Sequence, residues 1–170
     1  MSVETEDLMR ESNVLKIPLS QGMMALIDTA DWHLVAGRPW CVSRNPAGNP
    51  YAVSRRKGQT ALERMHSTIM ATNRAIDHKS GNSLDNRRSN LRYATHQENG
   101  RNSRRHRSGR LPYKGIYFCK KRQKYRARIK IGDKHCDLGF FDNPISAALA
   151  YDRGARTAFG EFARCNFEVQ

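Results

Sequence analysis

No two cysteines in this chain stand close enough in sequence to form a zinc-binding pair. Cys41, Cys119, Cys136 and Cys165 are scattered and no CxxC occurs, so no structural zinc is predicted. No apolar run is long enough to cross a membrane, and no apolar leader opens the sequence. The expectation is a cytoplasmic protein with reduced thiols and no membrane partner. Acidic residues are scarce as well: 16 Asp and Glu stand against 30 Lys and Arg, a formal net charge of +14. With 170 residues and 38% hydrophobic residues the chain is foldable, but one large core is not expected. Two small domains, each marginal alone or propped by a ligand, fit better.

The positive charge is concentrated. Residues 101–134 hold fourteen Lys and Arg and a single acid, Asp133, a local charge of +13. Such a block gains affinity for a polyanion by releasing counterions from phosphates. A basic tail that merely solubilises the protein is the plainer reading. Tyr113, Ile116, Tyr117, Phe118, Tyr125, Ile129 and Ile131 argue against it, because a disordered tail does not interleave so many apolar groups.

Residues 1–12 are polar and read as a flexible N-terminus. Val14, Leu15, Ile17 and Leu19 mark a short strand, and 23–27 is a second apolar run followed by a turn or helix start. Apolar segments at 40–43 and 51–53 flank the turn-rich 45–49, which predicts a hairpin. Leu62, Met65, His66, Ile69 and Met70 recur at helical spacing and predict a helix over 60–71. Brief strands are expected at 75–77 and 90–93, separated by a loop rich in Gly, Asn, Ser and Asp. Thr95 with Glu98 three residues later makes a capping-box pattern for a helix running to about Arg105. By composition 107–112 is a linker, which divides the chain into a first domain, 13–106, and a second, 113–170.

Past the linker the period changes. From Tyr125 to Ile131 apolar residues hold the odd positions, while Arg126, Arg128 and Lys130 hold the even ones. That pattern predicts a strand with one buried face and one basic face. Asn143-Pro144 opens a helix whose apolar stripe is Ala147, Ala148, Tyr151, Ala155 and Ala158, ending near Gly160. The expected fold class is α+β, the second domain being a three-stranded antiparallel sheet packed on one helix.

The stretch 75–102 carries the chemistry. A strand, a polar loop, a strand and a helix would bring Asp77, His78, Asn90 and Asn99 together. Those groups suit phosphodiester hydrolysis, which needs a base to deprotonate water and a hard divalent cation to stabilise charge at the phosphate. A carboxylate and an amide oxygen are hard-cation ligands, favouring Mg²⁺ or Mn²⁺ over zinc. A histidine near its ordinary pKa of 6.5 is able to take a proton at neutral pH. No small-molecule cofactor is implied.

Ile76-Asp77-His78, Asn90-Leu91-Arg92 and Asn99, with Lys16–Gly22 and Met65-His66 upstream, resemble the HNH motif of phage and intron-encoded homing endonucleases. The resemblance implies a ββα-metal (His-Me finger) nuclease domain over roughly residues 14–105. It implies His78 as general base, Asn90 as the residue that positions it or braces the loop, and Asp77 with Asn99 as ligands of one Mg²⁺ or Mn²⁺. Asn99 stands where many relatives have His. Arg87, Arg88 and Arg92 are candidate phosphate clamps, against the plainer reading of solvated charge. His66 lies on the apolar stripe and reads first as core, second as an edge of the site. His96 is a weaker second candidate.

The second domain has its own resemblance. Tyr113–Tyr117, Tyr125–Ile129, Leu138–Phe141 and Ala147–Asp152, up to Asn166-Phe167, are similar to the plant ethylene-response-factor (apetala-two) domain. That family reads the DNA major groove with a three-stranded sheet. The resemblance assigns Arg126, Arg128 and Lys130 to double-stranded DNA, and arginine suits bidentate contact with guanine. Tyr125 replaces a Trp found in that family.

Two functions follow. The first is a site-specific, homing-type DNA endonuclease of a phage or mobile element in a bacterial host. The second is a DNA-binding regulator with a vestigial nuclease domain. The complete Asp77, His78, Asn90 and Asn99 set favours the first, since a relic is free to lose any of them. A basic RNA-binding protein explains the charge but not that set. One catalytic set per chain predicts a monomer that nicks rather than an obligate dimer.

Overall fold

The structure, a computed structural model, describes residues 13–55, 58, 60–102 and 111–167. The chain divides into two compact units, Met1–Thr95 and His96–Gln170. The linker read at 107–112 and the helix end near Arg105 lie largely or wholly outside the described residues. Among these residues no helix is long and apolar enough to cross a membrane.

The first unit opens with an antiparallel pair, β1 (Val14–Pro18) and β2 (Met24–Asp28), in register from Val14 opposite Asp28 to Pro18 opposite Met24. After β2 a 3₁₀ turn leads into α1 (Trp32–Val35). A second sheet has the order β3-β4-β5, with β3 at Cys41–Arg44, β4 at Pro50–Arg55 and β5 at Leu62–Arg64. The turn between β3 and β4 is held by Asn45, whose Oδ1 accepts from Asn49 N–H at 2.9 Å.

The expected long helix over 60–71 is split. Its first part is β5, which pairs with β4, Val53 lying opposite Arg64. Only Met65–Ile69 is helical, as α2. The open edge of β4 competes successfully with a modest local helix preference, as tertiary pairing often does. Met65, His66 and Ile69 of the expected stripe are buried, whereas Leu62 on β5 is 50% exposed. The third sheet is the short pair β6 (Ile76–His78) and β7 (Leu91–Tyr93). One core joins these parts: Ile17, Ala25, Ile27, Val35, Trp40, Ala52, Met65, Ile69, Ile76 and Leu91.

The second unit begins with α3 (His96–Arg101). Its sheet has the order β10-β9-β8, all antiparallel, with β8 at Ile116–Cys119, β9 at Lys124–Ile131 and β10 at Lys134–Phe141. Helix α4 (Pro144–Phe159) starts at an N-cap, Asn143, whose side chain accepts from Ser146 N–H at 2.8 Å. Ala127 and Ile129 of β9 share a core with Ile116 and with Ala147, Ala148, Tyr151 and Ala155 of α4. Small residues on α4 bring its backbone near the sheet. Gly115 is required at this contact, since at φ 75° a Cβ would run into the Tyr151 ring. Ile131, read as inward-facing, is 41% exposed because β9 ends there in the turn at Gly132.

Candidate active site

In the β6–β7 hairpin Asp77 lies opposite Arg92, and His78 opposite Leu91. Directly opposed side chains share a face, so the Arg92 guanidinium reaches the Asp77 carboxylate. Nη2 and Nε of Arg92 donate to Asp77 Oδ2 at 2.6 and 2.9 Å, with side chains 10% and 5% exposed. Arg92, read as a phosphate clamp, is therefore engaged with the carboxylate next to His78.

The loop from 79 to 90 is closed by its own polar groups. Gly81 N–H donates to the His78 carbonyl at 2.7 Å, a tight turn taken by glycine at φ 70°. Asn90 uses both ends of its amide. Oδ1 accepts from Ser80 N–H at 2.9 Å, and Nδ2 donates to the Asp85 carbonyl at 2.7 Å. These bonds brace the two sides of the loop against each other. Leu26 N–H donates to Leu84 O and Asn86 N–H to Leu26 O, which attaches the loop to β2.

The other two candidate clamps are also paired. Arg87 makes two side-chain hydrogen bonds to Asp85, at 2.8 and 2.6 Å, and holds the Asp85 carboxyl below its usual range. Arg88 binds the buried Asp31 at 2.8–3.0 Å and also donates to the Ile69 carbonyl. Both side chains remain partly exposed.

His78 is buried, and burial pushes its pKa below the ordinary histidine value; Asn86, Asp77 and Asp85 act in the opposite direction. Its Nε2 lies 3.3 Å from Asn86 Oδ1. Two further rings surround it. His66 on α2 meets it with centroids 5.0 Å apart, and Tyr51 on β4 with centroids 6.2 Å apart. Arg64 covers Tyr51 at 4.9 Å. His66 is thus a buried residue of the apolar stripe whose ring also neighbours His78. Asn86, Tyr51, Arg64 and Asp85 were not singled out in the sequence. Asn86 is one of several Asn in a polar loop, and Tyr51 stands in a strand far upstream, so pattern alone gave neither a special signal.

Asp77, His78 and Asn90 are therefore brought together on one hairpin, while Asn99 and His96 lie on α3, in the second unit. Among the described residues no three His, Cys, Asp or Glu side chains gather into a metal-sized cluster. The hairpin offers the Asp77 carboxylate, an oxygen donor of the kind that suits a hard cation completed by water and phosphate.

On the second unit, Arg126, Arg128 and Lys130 alternate with the buried Ala127 and Ile129, on the sheet face away from α4. Asp137 of β10 lies across that face. It accepts from Arg126 at 2.7 and 2.5 Å, and its Oδ1 is 3.7 Å from Arg128 Nε. Arg122 and Arg126 both approach the Phe140 ring, at 4.4 and 5.7 Å. The basic face thus contains a carboxylate and an aromatic surface that the strand alternation did not disclose.

Residues 72–101 match the family model described as HNH endonuclease. Over 151 residues the chain is 28% identical to an uncharacterised HNH endonuclease of Acanthamoeba polyphaga mimivirus, a similarity covering 86% of this chain and 76% of the relative. No solved structure matches the chain. The hairpin that holds Asp77, His78 and Asn90 thus lies within the segment that matches the HNH endonuclease model, in a chain similar to a viral protein described as an HNH endonuclease along most of its length.

Proposed function

We propose that this chain is a homing-type, metal-dependent DNA endonuclease with a ββα-metal site, guided to its target by an ethylene-response-factor-like second domain. The observation that carries the reading is the environment of His78: a buried imidazole beside Asp77, at the end of a strand whose following loop is braced by Asn90. A neutral imidazole accepts a proton, and burial favours the neutral form. His78 takes the proton of the attacking water, and Asn90 keeps the loop closed around it. Arg92 holds the Asp77 carboxylate in place through two hydrogen bonds to Oδ2.

Asp77 is assigned to one Mg²⁺ or Mn²⁺, with Asn99 as the second ligand on the sequence pattern. When bound, such an ion stabilises negative charge on the phosphate and the leaving oxygen. Arg87 and Arg88 flank the loop with partly exposed guanidinium groups able to share a phosphate with their carboxylate partners. Arg126, Arg128 and Lys130 supply contact with duplex DNA. One catalytic set per chain makes the monomer a nicking enzyme.

The test is incubation of the full chain with supercoiled and linear host DNA in Mg²⁺, followed by mapping of the cut strands. Nicks at a recurring sequence support the reading. Specific binding with no cleavage under any divalent cation points instead to a DNA-binding regulator with a vestigial nuclease domain.

A further inference from the structure

Asn86 is among the most enclosed side chains of the first unit, 1% exposed, in the loop between β6 and β7. Its backbone N–H donates to Leu26 O at 2.7 Å, so its position is fixed against β2. Its side-chain Nδ2 donates to the Leu84 carbonyl at 3.2 Å and lies 3.5 Å from Met65 Sδ, a weak acceptor. Turning the amide over would set its oxygen against that carbonyl and that sulfur, acceptor against acceptor. The surroundings therefore dictate which end of the amide faces His78: it is the oxygen, 3.3 Å from Nε2. A carbonyl oxygen has only lone pairs to offer, so the nitrogen opposite it must carry hydrogen. The neutral imidazole has one N–H, and placing it at Nε2 leaves the lone pair on Nδ1.

We propose that Asn86 is a positioning residue that holds His78 as its Nε2–H tautomer and so makes Nδ1 the atom that takes the proton. Asn90 has a different task, because its amide bonds to Ser80 N–H and Asp85 O and braces the loop. The role in catalysis rests on the reading of His78 as general base; the tautomer itself does not. In the step, a water O–H bond breaks and its proton binds the Nδ1 lone pair, giving an imidazolium. The water oxygen bonds to phosphorus, the P–O bond to the departing sugar oxygen breaks, and that oxygen gains a proton from solvent.

The test uses the ¹⁵N-labelled full chain and long-range ¹H–¹⁵N correlation of the His78 ring, assigned by its loss in His78→Gln. The expected result is a pyrrole-type Nε2 and a pyridine-type Nδ1 in the wild-type protein. Asn86→Ala should shift these signals toward a tautomer mixture and lower the single-turnover cleavage rate roughly tenfold or more, with DNA affinity unchanged, since a wrongly placed imidazole proton disables a general base. An Nδ1–H tautomer in the wild-type protein overturns the proposal whatever Asn86→Ala does to folding. Unchanged ring signals in a folded Asn86→Ala overturn it as well. If the expected tautomer is found in a wild-type protein that cleaves no DNA, the endonuclease reading fails while the hold of Asn86 on His78 stands.

Discussion

The rings of His66 and His78 meet edge to face, with centroids 5.0 Å apart and planes at 72°, although one residue belongs to α2 and the other to β6. Both are buried, and His78 makes a charge on His66 unwelcome. Burial, then His78, then Arg64 lower the His66 pKa from 6.5 to about 3. The contact joins the core of the first unit to the hairpin that carries the chemistry.

Acid should therefore unfold the first unit early. His66 binds its proton more weakly when folded than when unfolded, so its contribution to stability is whole above pH 6.5 and falls as pH drops toward about 3. Linkage gives a loss of about 2 kcal/mol between pH 6.5 and pH 5 from this residue alone. Thermal melts from pH 7.5 to 5 should show Tm falling with acidity, and His66→Gln should flatten that slope. Equal slopes in both proteins would contradict the account of His66.

The Asp77–Arg92 pair should behave as a buried ion pair does. Arg92→Leu leaves the Asp77 carboxylate enclosed without its partner guanidinium, a change that costs about 3–5 kcal/mol. A Tm drop of roughly 10 °C or more is expected for a unit of this size. The double variant Asp77→Asn with Arg92→Leu should recover part of the loss, because the charge that lost its guanidinium is gone. A fully stable Arg92→Leu would show that the pair contributes little.

Much of this arrangement was legible in the sequence, and the rest was hidden for identifiable reasons. Alternation along 125–131 placed Ala127 and Ile129 inside and the basic residues outside, because one strand flanked by a helix buries only one face. The motif spacing placed Asp77, His78 and Asn90 on one hairpin. Leu62 misled, since helical spacing there came from a strand followed by a short helix. The three candidate phosphate clamps, Arg87, Arg88 and Arg92, also hold carboxylates, which the sequence did not disclose because their partners Asp85, Asp31 and Asp77 are set by the fold rather than by local spacing. Asn86 was lost among similar residues of its loop, and only its enclosure distinguishes it.

The basic face of the second unit should control where DNA is cut more than how fast. Replacing Arg126, Arg128 and Lys130 with Ala should abolish preference for the target while leaving chelator-sensitive nicking of random DNA. A base-reading arginine is worth about 1–3 kcal/mol of discrimination. Asp137→Asn should act oppositely to the Ala variants on affinity, because it removes a negative charge held against Arg126. Binding to random duplex should tighten and depend more steeply on salt. A salt series on target and random duplexes distinguishes these outcomes, and unchanged preference in the triple variant would refute the division of labour.

If His78 removes a proton during metal-dependent cleavage of DNA, wild type and His78→Ala should part company on supercoiled DNA. Cleavage is followed with Mg²⁺, with Mn²⁺ and with excess chelator, and binding is measured on the same DNA. Wild type should convert supercoiled DNA to open circles, with no conversion in chelator, and His78→Ala should do so at a rate about 10²–10⁴-fold lower with unchanged affinity. Cleavage by His78→Ala at the wild-type rate, or cleavage by either protein that ignores the chelator, would contradict this role of His78 in metal-dependent cleavage.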